Sequence, residues 1–150
     1  MNRLIKTIGT FSMITVMAVT TASCKNEPVE HITYSTDDAI AERYMDISSF
    51  DKIEYEEKSI SYSYFDIGPH EPSYRGIIYL GEDIASQYWE DYEWNEVEDP
   101  EFEFKKVDVS NLGDGPWYRS NDFEKDHFKL VNVNYAYFDG EVVVFNIQTM

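Results

Sequence analysis

Several residue types on which common functions depend are scarce in this 150-residue chain. Cysteine occurs once, at Cys24, which excludes an internal disulfide framework. Only 12 lysines and arginines stand against 29 acids, and a net charge of −17 argues against binding nucleic acid, since each phosphate contact would add repulsion. Apolar residues nevertheless make up 43% and aromatic residues 16%, so most of the chain is expected to fold, as a single domain.

Catalytic and metal-binding motifs are also missing from the sequence. The three histidines, His31, His70 and His127, are far apart and lack the spacing of zinc-finger or metalloprotease ligands. The sequence contains neither a Gly-x-Ser-x-Gly elbow nor a phosphate-binding glycine loop. With so many acids, a pair of neighbouring carboxylates carries no weight as a catalytic pair. We therefore expect no catalytic residues, no metal and no cofactor.

The first 24 residues form three zones. Residues 1–6 carry two positive charges, residues 7–23 carry no charge, and the small residues Ala22 and Ser23 lead directly to Cys24. A basic start, a short apolar stretch and a small-residue cleavage site are typical of a secretory signal peptide, and seventeen residues are barely enough to span a membrane. The sequence predicts an export signal over residues 1–23.

The segment Thr21-Ala22-Ser23-Cys24 resembles the lipobox of bacterial lipoproteins, and the protein looks like the small enterobacterial members of that class, a resemblance that covers about the first 25 residues. The resemblance implies cleavage between Ser23 and Cys24 by signal peptidase II. It also implies an S-diacylglycerol group and an N-linked fatty acid such as palmitate on Cys24. Thr21 departs from the pattern, because the family usually has leucine there. The alternative is an ordinary thiol beside a signal peptide cut elsewhere.

The resemblance also implies an address in the cell envelope. The anchored domain would face the periplasm, and its partners would include the membrane and the lipoprotein maturation and sorting machinery. Lys25 follows the cysteine, where an enterobacterial lipoprotein retained in the inner membrane often has Asp. The family rule thus favours the outer membrane, with the inner membrane as the alternative. Removal of Arg3 and Lys6 with the leader leaves 10 bases against 29 acids, a net charge of −19.

The rest of the chain divides into a tether and a globular domain. Residues 24–35 contain little periodicity and are expected to form a lipidated tether, and residues 36–150 the domain. Apolar spacing predicts helices over residues 36–45 and 82–92. Alternation predicts strands at 58–64, 74–80, 102–109, 131–137 and 142–147. The expected fold class is α+β, with a mainly antiparallel sheet of about five strands and two short helices.

The last two strands carry the strongest local signal, an Asp139-Gly140 pair between apolar runs, which predicts a two-residue hairpin turn. That turn would pair Tyr137 with Val142 and Tyr135 with Val144, and would place Val133 on the same face. Because the final strand is apolar on both sides, it is expected to lie inside the sheet or beneath a helix.

Residues 90–103 contain eight acids interleaved with aromatic residues. An EF-hand is excluded, because Glu96 replaces the required glycine and Phe102 the closing acid, although loose cation binding stays open. The segment is either a solvated acidic loop whose aromatic residues turn into the core, or a binding patch for a basic protein. In the second interpretation the binding residues are Glu90, Asp91, Glu93, Trp94, Glu96, Glu98 and Asp99.

Residues 113–119 are the other candidate, with two alternatives. Their glycines and proline could rim a binding pocket, or could form a tight turn that places Trp117 under the sheet.

Three function classes remain open for the whole chain. The first is a non-enzymatic lipid-anchored envelope protein whose overproduction provokes envelope stress. The second is an immunity-type inhibitor of a basic periplasmic toxin or hydrolase, and the third is a small hydrolase.

Overall fold

The computed structural model describes residues 28–61 and 71–150. The predicted signal peptide, Cys24 and the cleavage site lie outside these residues, as do His70, Tyr62 and Tyr64. Among the described helices none is both long and apolar enough to cross a bilayer. The elements, in chain order, are β1 (Val29–Ser35), α1 (Ala39–Tyr44), β2 (Lys52–Ser61), β3 (Ser73–Tyr79), α2 (Glu82–Asp91), β4 (Asn95–Val97), β5 (Trp117–Arg119), α3 (Asn121–His127), β6 (Val131–Phe138) and β7 (Val142–Thr149).

The strands form one antiparallel sheet in the order β1-β2-β3-β7-β6-β5-β4. The expectation of a mainly antiparallel sheet with helices is confirmed. The finer count was wrong, since the described residues contain seven strands and three helices rather than about five and two. The final strand β7 lies between β3 and β6, as its two apolar faces predicted.

Both faces of the sheet are covered. On one face, residues of all three helices pack against the strands in a helix-side core that includes Tyr44, Tyr88, Phe123 and Phe145. On the other face, residues 98–116, here named the covering segment, contribute to a loop-side core with the strands. The buried members of the loop-side core are Ile77, Val107, Trp117, Val142 and Val144.

The predicted strand over residues 102–109 was wrong, because these residues belong to the covering segment and form no strand. The carboxylate of Glu56 explains the difference. It accepts hydrogen bonds from the backbone N–H groups of Lys105 (3.0 Å) and Lys106 (2.6 Å), the donors that a neighbouring strand would otherwise need. The break in alternation at these two lysines therefore marks a bend of the chain onto Glu56. Phe102, Phe104 and Val109 still pack against the loop-side core.

The hairpin is present, but its register differs by two residues from the predicted one. Tyr137 pairs with Val144 and Tyr135 with Asn146. The turn is centred on Gly140 and Glu141, because the Asp139 side chain accepts hydrogen bonds from the N–H groups of Glu141 and Val142 at 2.9 and 2.8 Å. A shift of two residues keeps Tyr135 and Tyr137 on the loop-side face.

Val133 does not share the face of Tyr135, contrary to expectation. The register shifts between Val133 and Tyr135, and the bulge turns Val133 to the helix-side core.

Two other strands begin earlier in the chain than the sequence predicted. Strand β2 begins at Lys52, six residues before the predicted start, and β1 is formed by residues that were expected to belong to the tether.

The turn before β5 requires a glycine at residue 115. Gly115 has a φ of +94°, and a Cβ there would lie 2.8 Å from Cδ1 of Trp117. We expect Gly115→Ala to lower the free energy of unfolding by about 1–3 kcal/mol in urea denaturation. Gly113→Ala is the matched control, because its nearest non-neighbouring atom is 3.9 Å away. Equal stability of the two variants would contradict this account of the turn.

Candidate functional site

The acidic segment lies at the edge of the sheet that ends in β4. The end of α2, strand β4 and the first part of the covering segment place all eight of its acids in solvent. These acids are Glu90, Asp91, Glu93, Glu96, Glu98, Asp99, Glu101 and Glu103. Among the described strands, β4 pairs with β5 alone, and no described strand covers its other edge.

The aromatic residues of the segment divide differently from the acids. Trp94 is half-buried, its indole N–H donates to the Tyr88 carbonyl at 3.0 Å, and its ring contacts Phe123 and Phe138. It belongs to the fold more than to a surface patch. Trp89, immediately before the segment, is 44% exposed. Its ring stacks on Trp94 at 6.3 Å and meets the edge of Tyr118 at 4.9 Å.

A cleft of about 420 Å³ opens between two limbs of the covering segment, residues 99–102 and residues 109–114, beside Trp117 of β5. Its apolar lining consists of Pro100, Phe102, Val109, Leu112 and Trp117, and Trp117 is only 3% exposed. The rings of Phe102 and Trp117 meet edge to face, 5.0 Å between centroids. The two interpretations of residues 113–119 are thus compatible, since the turn buries Trp117 and also lines a cleft.

Three carboxylates stand at the cleft, those of Asp99, Glu101 and Asp114, and all three residues are exposed. Of the residues that the structure describes, no lysine, arginine or histidine lines it. Within the described part of the chain none of the three acids forms an ion pair. The cleft therefore combines an aromatic and aliphatic floor with uncompensated negative charge. The sequence indicated Asp99 as a binding residue and residues 113–119 as the rim of a pocket, but not that residues 99–102 and 109–117 form one cleft, because even their nearest members, Phe102 and Val109, are seven residues apart in the chain.

A second cluster of charged and polar residues lies buried beneath the covering segment. Glu56, Arg75, Asn146 and Tyr135 occupy one cross-strand row on β2, β3, β7 and β6. Glu56 is completely buried and forms an ion pair with Arg75, which is itself 7% exposed. The Nη1 atom of Arg75 lies 3.7 Å from the exposed carboxylate of Glu103.

The surroundings of Glu56 favour its ionised form. Burial acts to raise the pKa of its carboxyl group, but the N–H groups of Lys106 and Lys105 and the Arg75 guanidinium outweigh that effect and lower it. Because donors already occupy both carboxylate oxygens, Glu56 is unsuited to accept a proton from a substrate. Its contacts with Lys105, Lys106 and Arg75, here named the latch, fix the covering segment to the sheet.

The lysines of this latch extend to the opposite edge of the sheet. Lys105 forms an ion pair with Glu30 of β1, and the Lys106 ammonium donates to the Ile32 carbonyl. Together with Lys58, which lies 2.8 Å from Glu30, Lys105 holds the pKa of that carboxyl group down at about 2. The covering segment thus crosses the face to β1 before it returns to β5.

The described histidines serve the fold. His127 Nε2 lies 3.0 Å from the Tyr92 hydroxyl, and its other ring nitrogen bonds to the Asp46 carbonyl. His31 is in β1, where it lies 3.2 Å from the Ser61 hydroxyl. Among the described residues, no three histidine, cysteine or acidic side chains converge as a metal site would require.

No protein-family model, no curated protein and no solved structure matches this chain. What the site can bind is therefore inferred from its own residues. Carboxylates around an apolar floor favour binding a cation with a hydrophobic stem.

Proposed function

We propose that this protein is an exported lipoprotein, anchored through Cys24, whose acidic domain works in the cell envelope by binding rather than by catalysis. The observation that carries the proposal is the uncharged stretch of residues 7–23 ending in Ala22-Ser23-Cys24, with the only cysteine of the chain at the position of attachment. Acylation gains about 0.8 kcal/mol per buried methylene, so three chains make a stable anchor.

The geometry of the domain is compatible with such an anchor. Val29, the first residue of β1, is five residues after Cys24, and an extended chain of that length spans at most about 18 Å. Strand β1 forms one edge of the sheet and β4 the other. With strands about 4.8 Å apart, the acidic edge lies roughly 29 Å from β1. An anchor at Cys24 would hold β1 close to the bilayer and leave the acidic edge accessible to a partner.

Metabolic labelling tests the anchor. We expect the full-length chain to incorporate radiolabelled palmitate and to fractionate with membranes, and globomycin to make an unprocessed precursor accumulate. The matched control is Cys24→Ala, which keeps the leader but removes the only thiol. Absence of label in the parent chain, or equal label in both chains, would contradict the proposal. The density at which the labelled protein bands separates the outer membrane from the inner.

A second candidate function is inhibition of a basic periplasmic toxin or hydrolase, in the manner of an immunity protein. The eight exposed acids of residues 90–103 favour it, because complementary charge speeds the encounter of two proteins. Capture on the immobilised full-length chain should yield a basic protein that is released by salt. A toxin gene adjacent to the gene for this chain would support the same function, and capture that is indifferent to salt would contradict it.

A further inference from the structure

We propose that the cleft between the limbs of the covering segment binds an arginine side chain of a basic protein partner. The inference rests on the second candidate function and names the part of the surface that recognises the partner. Its evidence is the cleft itself, about 420 Å³ in volume, with Phe102 and Trp117 in its lining and Asp99, Glu101 and Asp114 around it.

The chemistry of the lining selects a cation with an apolar stem. An anion would meet three carboxylates, and an aliphatic group would leave their charge uncompensated. A guanidinium group is planar and weakly hydrated, so it can lie against an aromatic ring and still donate to carboxylates. The three methylene groups of the arginine side chain suit the aliphatic part of the lining, Val109 and Leu112. Arginine fits both parts of the cleft.

The backbone supports the position of the carboxylates. Asp99 has a φ of 52°, in the left-handed region that Asn and Asp tolerate best among residues with a side chain. This conformation turns the chain from β4 into the covering segment. Trp117 is buried in the loop-side core, and Phe102, Val109 and Leu112 pack against that core, so packing holds the floor of the cleft in place. A rigid floor lowers the ordering cost of binding an incoming side chain.

The position of the cleft suits a protein partner. Residues 99–102 follow β4 directly, and Glu96 and Glu98 precede them, so the cleft is continuous with the acidic edge. A basic protein approaching that edge would meet the charges first and then place one side chain in the cleft. The combination of a buried anchor and surrounding charge is typical of interface hot spots.

The test measures binding of two capped peptides, Ser-Gly-Arg-Gly-Ser and the same sequence with citrulline, to the full-length protein in detergent. Citrulline keeps the shape of arginine and removes its charge. We expect the indole N–H resonance of Trp117, assigned with Trp117→Phe, to shift saturably with the arginine peptide, and the citrulline peptide to bind about tenfold more weakly or not at all. Equal binding of the two peptides, or no saturable shift, would overturn the proposal.

Two double variants test whether the peptide binds in the cleft or is held only by the overall negative charge of the protein. Glu101→Gln/Asp114→Asn should weaken the arginine peptide at least about tenfold. Glu82→Gln/Asp83→Asn, which removes the same charge from exposed acids outside both the cleft and the acidic segment, should weaken it less than about threefold. Equal losses would overturn the cleft as the binding site.

Two further readouts separate this proposal from the second candidate function and from a small-molecule site. Salt-sensitive capture of a basic protein that both double variants retain equally would overturn the cleft and leave the candidate function standing. Binding of free arginine as tightly as of the peptide, with the same response to the variants, would overturn the protein partner. Peptide binding at least about tenfold tighter than free arginine supports it.

Discussion

Glu56→Gln should be the most destabilising single change of a charged residue in this protein, by about 3–5 kcal/mol of unfolding free energy. The substitution leaves Arg75 buried without its counter-charge and weakens the hydrogen bonds that hold the covering segment at Lys105 and Lys106. Urea denaturation followed by circular dichroism measures the loss. Glu98→Gln, the same change at an exposed position, should stay within about 0.5 kcal/mol.

A double-mutant cycle separates the two functions of Glu56. Arg75→Met removes the positive charge that pairs with Glu56. It leaves in place the backbone N–H groups of Lys105 and Lys106 that donate to the Glu56 carboxylate. We therefore expect Glu56→Gln/Arg75→Met to be less destabilised than the sum of the single variants, yet still less stable than the parent. Additive effects would contradict the ion pair, and full recovery in the double variant would contradict the backbone latch.

The ionised carboxylate of Glu56 also predicts that the free energy of unfolding depends on pH. The pKa of Glu56 in the folded protein is below its ordinary value of 4.5, so its contribution is complete above about pH 4.5 and is lost as the pH falls through the folded-state pKa. We expect the unfolding free energy of the parent to decrease more steeply with acid than that of Glu56→Gln. Parallel decreases in the two proteins would contradict an ionised Glu56.

Overproduction of the parent chain should induce an envelope-stress response, and overproduction of Cys24→Ala should not. The physical reason is competition: a lipoprotein in excess occupies the maturation and sorting machinery, whereas a chain without the thiol cannot be acylated. A stress-responsive reporter, read at equal amounts of the two chains, measures the difference. Equal induction by both would remove the anchor from the explanation.

Elements whose apolar residues face a core could be predicted from the sequence. Tyr88 and Ala85 of α2 are buried at helical spacing, and β7 is apolar on both faces because it lies in the middle of the sheet. Such elements produce strong periodicity. Strand β1 produces none, since as an edge strand it is mostly exposed and is held by pairing to β2 and by contacts with Lys105 and Lys106. Its residues therefore resembled a tether.

Helix α3 was missed although its signal is present in the sequence. The Ser120 side chain accepts a hydrogen bond from the Phe123 N–H at 3.4 Å, and acids at 122 and 124 precede Lys125. A serine cap followed by acids and then bases is typical of a short helix. Only seven residues long, α3 offers a single fully buried apolar residue, Phe123, to a search based on periodicity.

The candidate site was predictable only in part. The abundance of acids in residues 90–103 indicated an exposed surface, and all eight are exposed. Residues 113–119 were one candidate pocket rim, but the other side of the cleft could not be found from the sequence, because it depends on Glu56 bending the covering segment so that residues 99–102 meet residues 109–117. That contact is a property of the fold, since the carboxylate that creates it lies 49 residues before the first backbone N–H that it accepts.

The intact mass of the purified full-length gene product tests the lipid anchor most directly. The account predicts a chain that begins at Cys24, lacks residues 1–23 and carries the added mass of a diacylglyceryl group and one amide-linked acyl chain. A chain that retains its leader, or one cleaved but bearing no lipid, would contradict it.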